Sequence, residues 1–224
     1  GVLPITFDEC SRLLAAFGDG HQVLPGQFAD PDLVKIGDRY YLYPTTDGYD
    51  RWTGTQFHAF SSSDLKIWRD EGIILDLATE DVPWAVGCAW APAVACRGGK
   101  YFYYFCGKTE CGSHSIGVAV AETPVGPFRS QPHSLISMEQ MKRLGIPMSL
   151  AIDPSIYMEE DGTAFLLFGN GHPTIVQLGE DMVSVIEDTM KNVVGLHDFR
   201  EAVTVLKRGG LYHFTWSCDD TGSE

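Results

Sequence analysis

Three carboxylates far apart along the chain stand at matching places in a repeated motif: Asp30, Asp153 and Glu201. Asp30 and Asp153 each precede a proline, in Ala29-Asp30-Pro31-Asp32 and Ile152-Asp153-Pro154-Ser155. A single Asp-Pro is a common turn starter and says little. Two at one repeat position, joined there by Glu201, say more. Like charges gathered in one cleft are costly and push pKa values apart. Acid/base chemistry needs that separation, with one carboxylate ionised and another protonated. The competing occupant of such a cluster is a hard cation. A structural calcium ion on the axis of the repeat is therefore the second expectation, and no cofactor is expected to be required.

The elements that would position these groups come from four segments that can be laid over one another: 29–41, 90–102, 152–165 and 200–212. The overlay aligns Asp30, Ala91, Asp153 and Glu201. Each segment reads as a strand, a polar turn with Gly, and a second, more aromatic strand. Segments 57–68, 116–128 and 175–185 each add a strand, a turn and the start of another strand. A four-stranded unit recurring at roughly 50–60 residues is the signature of a propeller blade. The expected fold is all-β: a propeller of which the chain holds three whole blades and the first hairpin of a fourth. The strands starting near Leu33, Val94, Ser155 and Val203 should be innermost and bring the carboxylates to one end of the axis. Three and a half blades do not close a ring, and an open edge invites aggregation. Residues 1–224 are therefore expected to form a single propeller domain whose C-terminal blades lie outside this chain. Helical pattern is confined to Phe7–Phe17 and Met138–Leu144.

Composition narrows the partners. Sixteen Lys+Arg stand against 30 Asp+Glu, a net charge of −14. That charge argues against nucleic acid and against an anionic membrane surface. The longest apolar run, Trp84 to Cys96, contains Pro92 and is too short to span a bilayer. The six cysteines include no CxxC pair. Small buried hydrophobes on strands are the expectation for them, with a Cys106–Cys111 disulfide as the alternative. His114, His172 and His197 do not fall into metal-ligand spacing, and no metal ligands are assigned.

Four ordered segments carry a resemblance: FADPDLVKIGDRYYLYPTT (28–46), WAPAVACRGGKYFYYF (90–105), IDPSIYMEEDGTAFLLFGN (152–170) and REAVTVLKRGGLYHFTW (200–216). Together they resemble glycoside hydrolase family 43, from about residue 21 to the end of the chain. The resemblance implies a five-bladed β-propeller, here truncated, of inverting glycosidases acting on plant polysaccharides. It implies Asp30 as general base and Glu201 as general acid, with Asp153 raising the pKa of Glu201 and orienting it. The family often has Gly-Pro after the acid, whereas this chain has Ala202-Val203. Trp90 and Ala91 would line the subsite of the cleaved sugar, because a Trp face meets the C–H groups of a sugar ring. Trp84, in the preceding loop, would be a second wall. Asp47, with Tyr49 and Trp52, lies in a loop suited to hydroxyl recognition at a pocket mouth. Thr221 stands where family members place a substrate-contacting Thr.

The implied partner is a carbohydrate, from which terminal arabinofuranose or xylose is released. A galactofuranosidase or galactan-cleaving enzyme of the same fold is the alternative within enzymes. A non-catalytic carbohydrate-binding propeller is the alternative outside them, against which the presence of all three carboxylates speaks. Extracellular or periplasmic location is expected, with the cytoplasm as the other option. Inversion needs room for a water, so the base and acid carboxyls should stand roughly 6.5–9.5 Å apart.

Overall fold

The computed structural model describes residues 24–218 together with Asp8, Ser11 and Arg12. Strands β1 (Phe28–Ile36), β2 (Arg39–Thr46), β3 (Gln56–Ser62) and β4 (Arg69–Asp76) form one antiparallel sheet in sequence order. A second sheet contains β5 (Gly87–Arg97), β6 (Lys100–Lys108), β7 (His114–Ala121) and β8 (Arg129–Ser130), and β9 (Ile136–Ser137) also pairs with β7. The third is built from β10 (Ser155–Met158), β11 (Ala164–Phe168), β12 (Thr174–Leu178) and β13 (Val185–Asn192). A last hairpin pairs β14 (Glu201–Arg208) with β15 (Leu211–Ser217). These are three blades and a half-blade of a β-propeller.

Local chemistry explains the repetition. The first hairpin turns of blades two and four are Gly98-Gly99 and Gly209-Gly210, flanked by the pairs Arg97↔Lys100 and Arg208↔Leu211. All four glycines have positive φ, between 58° and 78°. A two-residue hairpin loop whose twist matches the strands needs that conformation at both central positions. Side chains alternate faces along a strand, and β6 (KYFYYFCGK) uses both. Tyr103 and Phe105 pack toward blade one with Tyr43, Phe57 and Ile74. Phe102 and Tyr104 pack toward blade three with Ala164, Leu166 and Phe168. Along β11, Leu167 turns the other way, onto Val203 and Val205 of β14. The core is thus a series of inter-blade seams rather than one central mass. Helix α1 (Met138–Leu144) follows β9 and buries Met141 in the second seam, and Ser137 and Gln140 form a capping box at its start.

First strands are neighbours from blade to blade. Asp32 Oδ2 on β1 accepts the Val94 amide of β5 at 2.7 Å. Ser155 Oγ on β10 donates to Thr204 Oγ1 on β14 at 2.9 Å. The expected inner strands therefore meet around the axis, and Met138–Leu144 is the helix read from the sequence. Of Phe7–Phe17 only Asp8, Ser11 and Arg12 are described; all three are helical.

Two expectations are corrected. Cys106 and Cys111 are both free, because Cys106 points into the core with 0% exposure while Cys111 lies exposed in the following turn. Among the described cysteines, Cys88 and Cys106 behave as buried hydrophobes, whereas Cys96, Cys111 and Cys218 are exposed. The second correction is one of register. Three of the four inner strands carry a bulge, between Ala29 and Asp32, between Trp90 and Ala93, and between Glu201 and Thr204. The left-handed residues in these bends are Asp30 (φ 45°), Ala91 (39°) and Ala202 (58°), with Asp153 (57°) in the same place before β10. The partner of Asp30 in the half-blade is therefore Ala202. Glu201 sits one residue earlier, where the other blades carry Ala29, Trp90 and Ile152.

Candidate active site

The bends gather at one end of the axis. Asp30, Ala91, Asp153 and Ala202, with the prolines that follow the first three, line a shallow pocket there. A bulge re-aims a side chain that the regular pleat would send into a seam. Left-handed backbone at four non-glycine residues costs on the order of 1–3 kcal/mol each. Four such bends at one pocket mark a place where geometry is favoured over local comfort.

Asp30 is held by its own blade. Thr45, buried on β2, donates Oγ1–H to Asp30 Oδ2 at 3.1 Å. Thr45 Oγ1 in turn accepts the Ala91 amide of blade two at 2.7 Å. Asp30 lies open at the pocket rim by surface area, yet enough protein surrounds its carboxyl for desolvation to push its pKa up most. The Thr45 bond opposes that push, and the charges of Glu201 and Asp47 add to it.

Asp153 is held by both neighbours. Its amide donates to Cys106 Sγ at 3.2 Å, and its Oδ2 accepts the Ala202 amide at 3.1 Å. Cys106 thus repeats the part of Thr45: a second-strand side chain takes the amide of the next blade's left-handed residue. Burial, then the charges of Glu201 and Asp30, push the Asp153 carboxyl up to about 7. Glu201 is half-buried, and its Oε2 accepts from Asn170 Nδ2 at 2.7 Å.

The three carboxylates, from three different blades, therefore share one electrostatic field. They do not form a cation cage. Among the described residues no three His, Cys, Asp or Glu are grouped as a metal ion needs, and one oxygen of each member already accepts a hydrogen bond.

Other candidate residues divide. Trp90 lies beside the pocket, stacked on His114 at 4.9 Å, with Nε1–H donated to the Trp52 carbonyl at 2.7 Å. Ala91 is in the pocket wall. Asp47 is near enough to raise the Asp30 pKa, and its Oδ1 accepts the Gly48 amide. Trp84 is not at the pocket. Its ring lies against Gly107 and Gly117 and stacks on Phe105 at 5.5 Å, with Nε1–H donated to Ser130. A β-carbon at Gly117 would come within 2.2 Å of that ring, so Trp84 is a packing residue between blades one and two. Thr221 lies outside the described residues. Sequence reasoning missed Thr45, Cys106 and Asn170 as supports. Their one sequence signal is a small or polar residue closing an aromatic strand, as in YPTT, YYFC and LLFGN.

A family model described as Glycosyl hydrolases family 43 matches residues 21–224. The chain belongs to that family. Among its family 43 relatives, a β-D-galactofuranosidase of Aspergillus niger, xynD, is 33% identical over 239 residues, covering 99% of this chain and 66% of its own length. The chain therefore spans just under two thirds of that relative. A xylosidase/arabinosidase, 43A, of Humicola insolens is 27% identical over 86% of this chain and 73% of its own. Among solved structures, a family 43 β-xylosidase/α-arabinofuranosidase from a compost metagenome, in complex with xylotriose and calcium-free, superposes with a TM-score of 0.73. It is 27% identical and covers 87% of this chain and 71% of its own. An α-L-arabinofuranosidase from Clostridium thermocellum gives 0.73 at 28% identity, covering 88% of this chain and 65% of its own.

Proposed function

We propose that this chain carries the acid/base centre of an inverting glycosidase that releases terminal arabinofuranose or xylose from plant cell-wall polysaccharides or oligosaccharides. The observation that carries the reading is that Asp30 and Asp153, from two blades, line one pocket beside Ala202, while Glu201, from a third, lies near enough for its charge to raise the pKa of both. Asp30, ionised, takes a proton from water on one face of the sugar. Glu201 donates to the leaving oxygen on the other. Asp153 orients the pair and tunes their charge. Trp90 and Ala91 wall the subsite of the cleaved sugar, and Asp47 offers a carboxylate to a hydroxyl. Family relatives named xylosidase/arabinosidase support the five-carbon sugar. The second reading is a galactofuranosidase, favoured by the 33% identity to the Aspergillus niger enzyme. No helix among the described residues is long and apolar enough to cross a membrane, and the site is read as acting on extracellular or periplasmic glycans.

Release of nitrophenol from aryl α-L-arabinofuranoside, β-D-xyloside and β-D-galactofuranoside tests the reading. Turnover of either of the first two supports it, and turnover of the third alone transfers it to the galactofuranosidase. Binding of xylo- or arabino-oligosaccharides with no release on any of the three would make the protein a carbohydrate-binding propeller.

A further inference from the structure

We propose that Asn170 is the positioning residue of the proton donor, selecting which oxygen of Glu201 carries the proton; the proposal rests on reading Glu201 as that donor. Asn170 follows β11, is 5% exposed, and is locked by its backbone. Its amide donates to the Leu150 carbonyl at 3.1 Å and its carbonyl accepts the Ser149 amide at 3.0 Å. The next amide, Gly171 N–H, donates to the carbonyl of Arg200, the residue before Glu201, at 2.8 Å. Asn170 therefore sits at a backbone joint between blade three and the half-blade, with its side chain free for one task. That task is the 2.7 Å bond from Nδ2 to Glu201 Oε2.

An amide N–H has no lone pair to receive a proton. A carboxyl's hydroxyl oxygen is a poorer acceptor than its carbonyl oxygen, so the bond to Oε2 disfavours a proton there and directs it to Oε1, the oxygen that Asn170 leaves free. The bond also strengthens as Glu201 gives up its proton, because a donor is held more tightly by a carboxylate than by a neutral acid. It thus favours the transition state over the ground state. Neither effect follows from the fold alone, since the backbone bonds of Asn170 do not involve its side chain.

Asn170→Ala and Asn170→Asp test the proposal. The alanine variant keeps the backbone joint but leaves Oε2 without its donor; the aspartate keeps the shape and adds a charge. Hydrogen bonds to charged groups contribute about 1.5–3 kcal/mol. The expected result for Asn170→Ala is a loss of about tenfold or more in kcat on an oligosaccharide, but only a few-fold on an aryl glycoside with a good leaving group. The basic limb of its pH profile should move up by about one unit, because the protonated acid is no longer disfavoured, and Asn170→Asp should move it further. Equal losses on both substrates with an unmoved limb would mean a merely structural role and overturn the proposal. Glu201→Gln separates the two layers. If it shows leaving-group dependence while the Asn170 variants do not, only this proposal fails. If Glu201→Gln loses both substrates alike, the donor reading fails and takes the proposal with it.

Discussion

The two flanks of the pocket are built differently. On the Asp30 flank, support comes from inside the blade and reaches onward: one Thr45 hydroxyl donates to the carboxylate and receives the next blade's amide. On the Glu201 flank, support arrives from the preceding blade, through Asn170. The strands behind these groups differ as well. β6 is buried on both faces, whereas β15, at the equivalent place in the half-blade, has Leu211 67% and Tyr212 50% exposed. The hairpins share turn, bulge and register, so the difference lies in what flanks them. Blade geometry is local, but the desolvation that shifts a pKa comes from neighbours. Asp153, between two blades, accordingly has its carboxyl near 7.

The comparison can be broken most severely at the carboxylates. Glu201→Gln should cost about 10²–10⁴ on natural oligosaccharides and much less on activated aryl glycosides. Asp30→Asn should cost both alike, since the water must be activated whatever leaves. Steady-state kinetics on one substrate of each kind reads this out. Equal losses for Glu201→Gln would leave Asp153 as the next candidate for the donor.

Asp153 sharpens the comparison through stability. Its folded pKa lies above the unfolded value near 3.8, so the folded state binds the proton more tightly. The contribution is fully present below about pH 4 and is lost as pH rises to about 7. Three pKa units correspond to about 4 kcal/mol. Asp153→Asn, which can still accept the Ala202 amide, should melt near the wild-type temperature at pH 4 and clearly above it at pH 8. Thermal denaturation at both pH values checks this, and parallel curves would show that burial there is less costly than inferred.

Thr45→Val should come next. It leaves the Ala91 amide without its acceptor, at about 1–3 kcal/mol for a buried group. It also removes the bond that holds the Asp30 pKa down, so the acidic limb of activity should move to higher pH. Chemical denaturation and a pH profile measure the two parts. The smallest effect should be at Cys106. Cys106→Ser keeps an acceptor for the Asp153 amide and should stay close to wild type. Cys106→Val loses it, at about 1 kcal/mol or somewhat more, and should be the less stable of the pair.

Much of this was legible in particular residues. The paired glycines at 98–99 and 209–210 announced hairpins, the aromatic run at 101–105 announced a strand, and Asp30-Pro31 and Asp153-Pro154 announced the pocket. The supports were not legible. Thr45, Cys106 and Asn170 differ in type and act across a blade or a joint, so the small or polar residue that closes each aromatic strand does not say which group it will hold. Trp84 and Trp90 lie six residues apart in similar apolar sequence, yet one covers Gly117 in a seam and the other stands at the pocket. Trp84 lies in the loop before β5, whereas Trp90 lies on β5 at its bulge.

The sequence by itself determined the blade: its strands, its turns and the recurrence that sends inner strands to an axis, because these follow from side-chain period and backbone preference within a few residues. Tertiary structure decided the register of Glu201 and the place of the raised pKa. A one-residue bulge shifts which side chain faces the axis without altering the pattern of apolar residues around it. The proton affinity of Asp153 is then set by burial and by two charges, Asp30 and Glu201, that come from other blades.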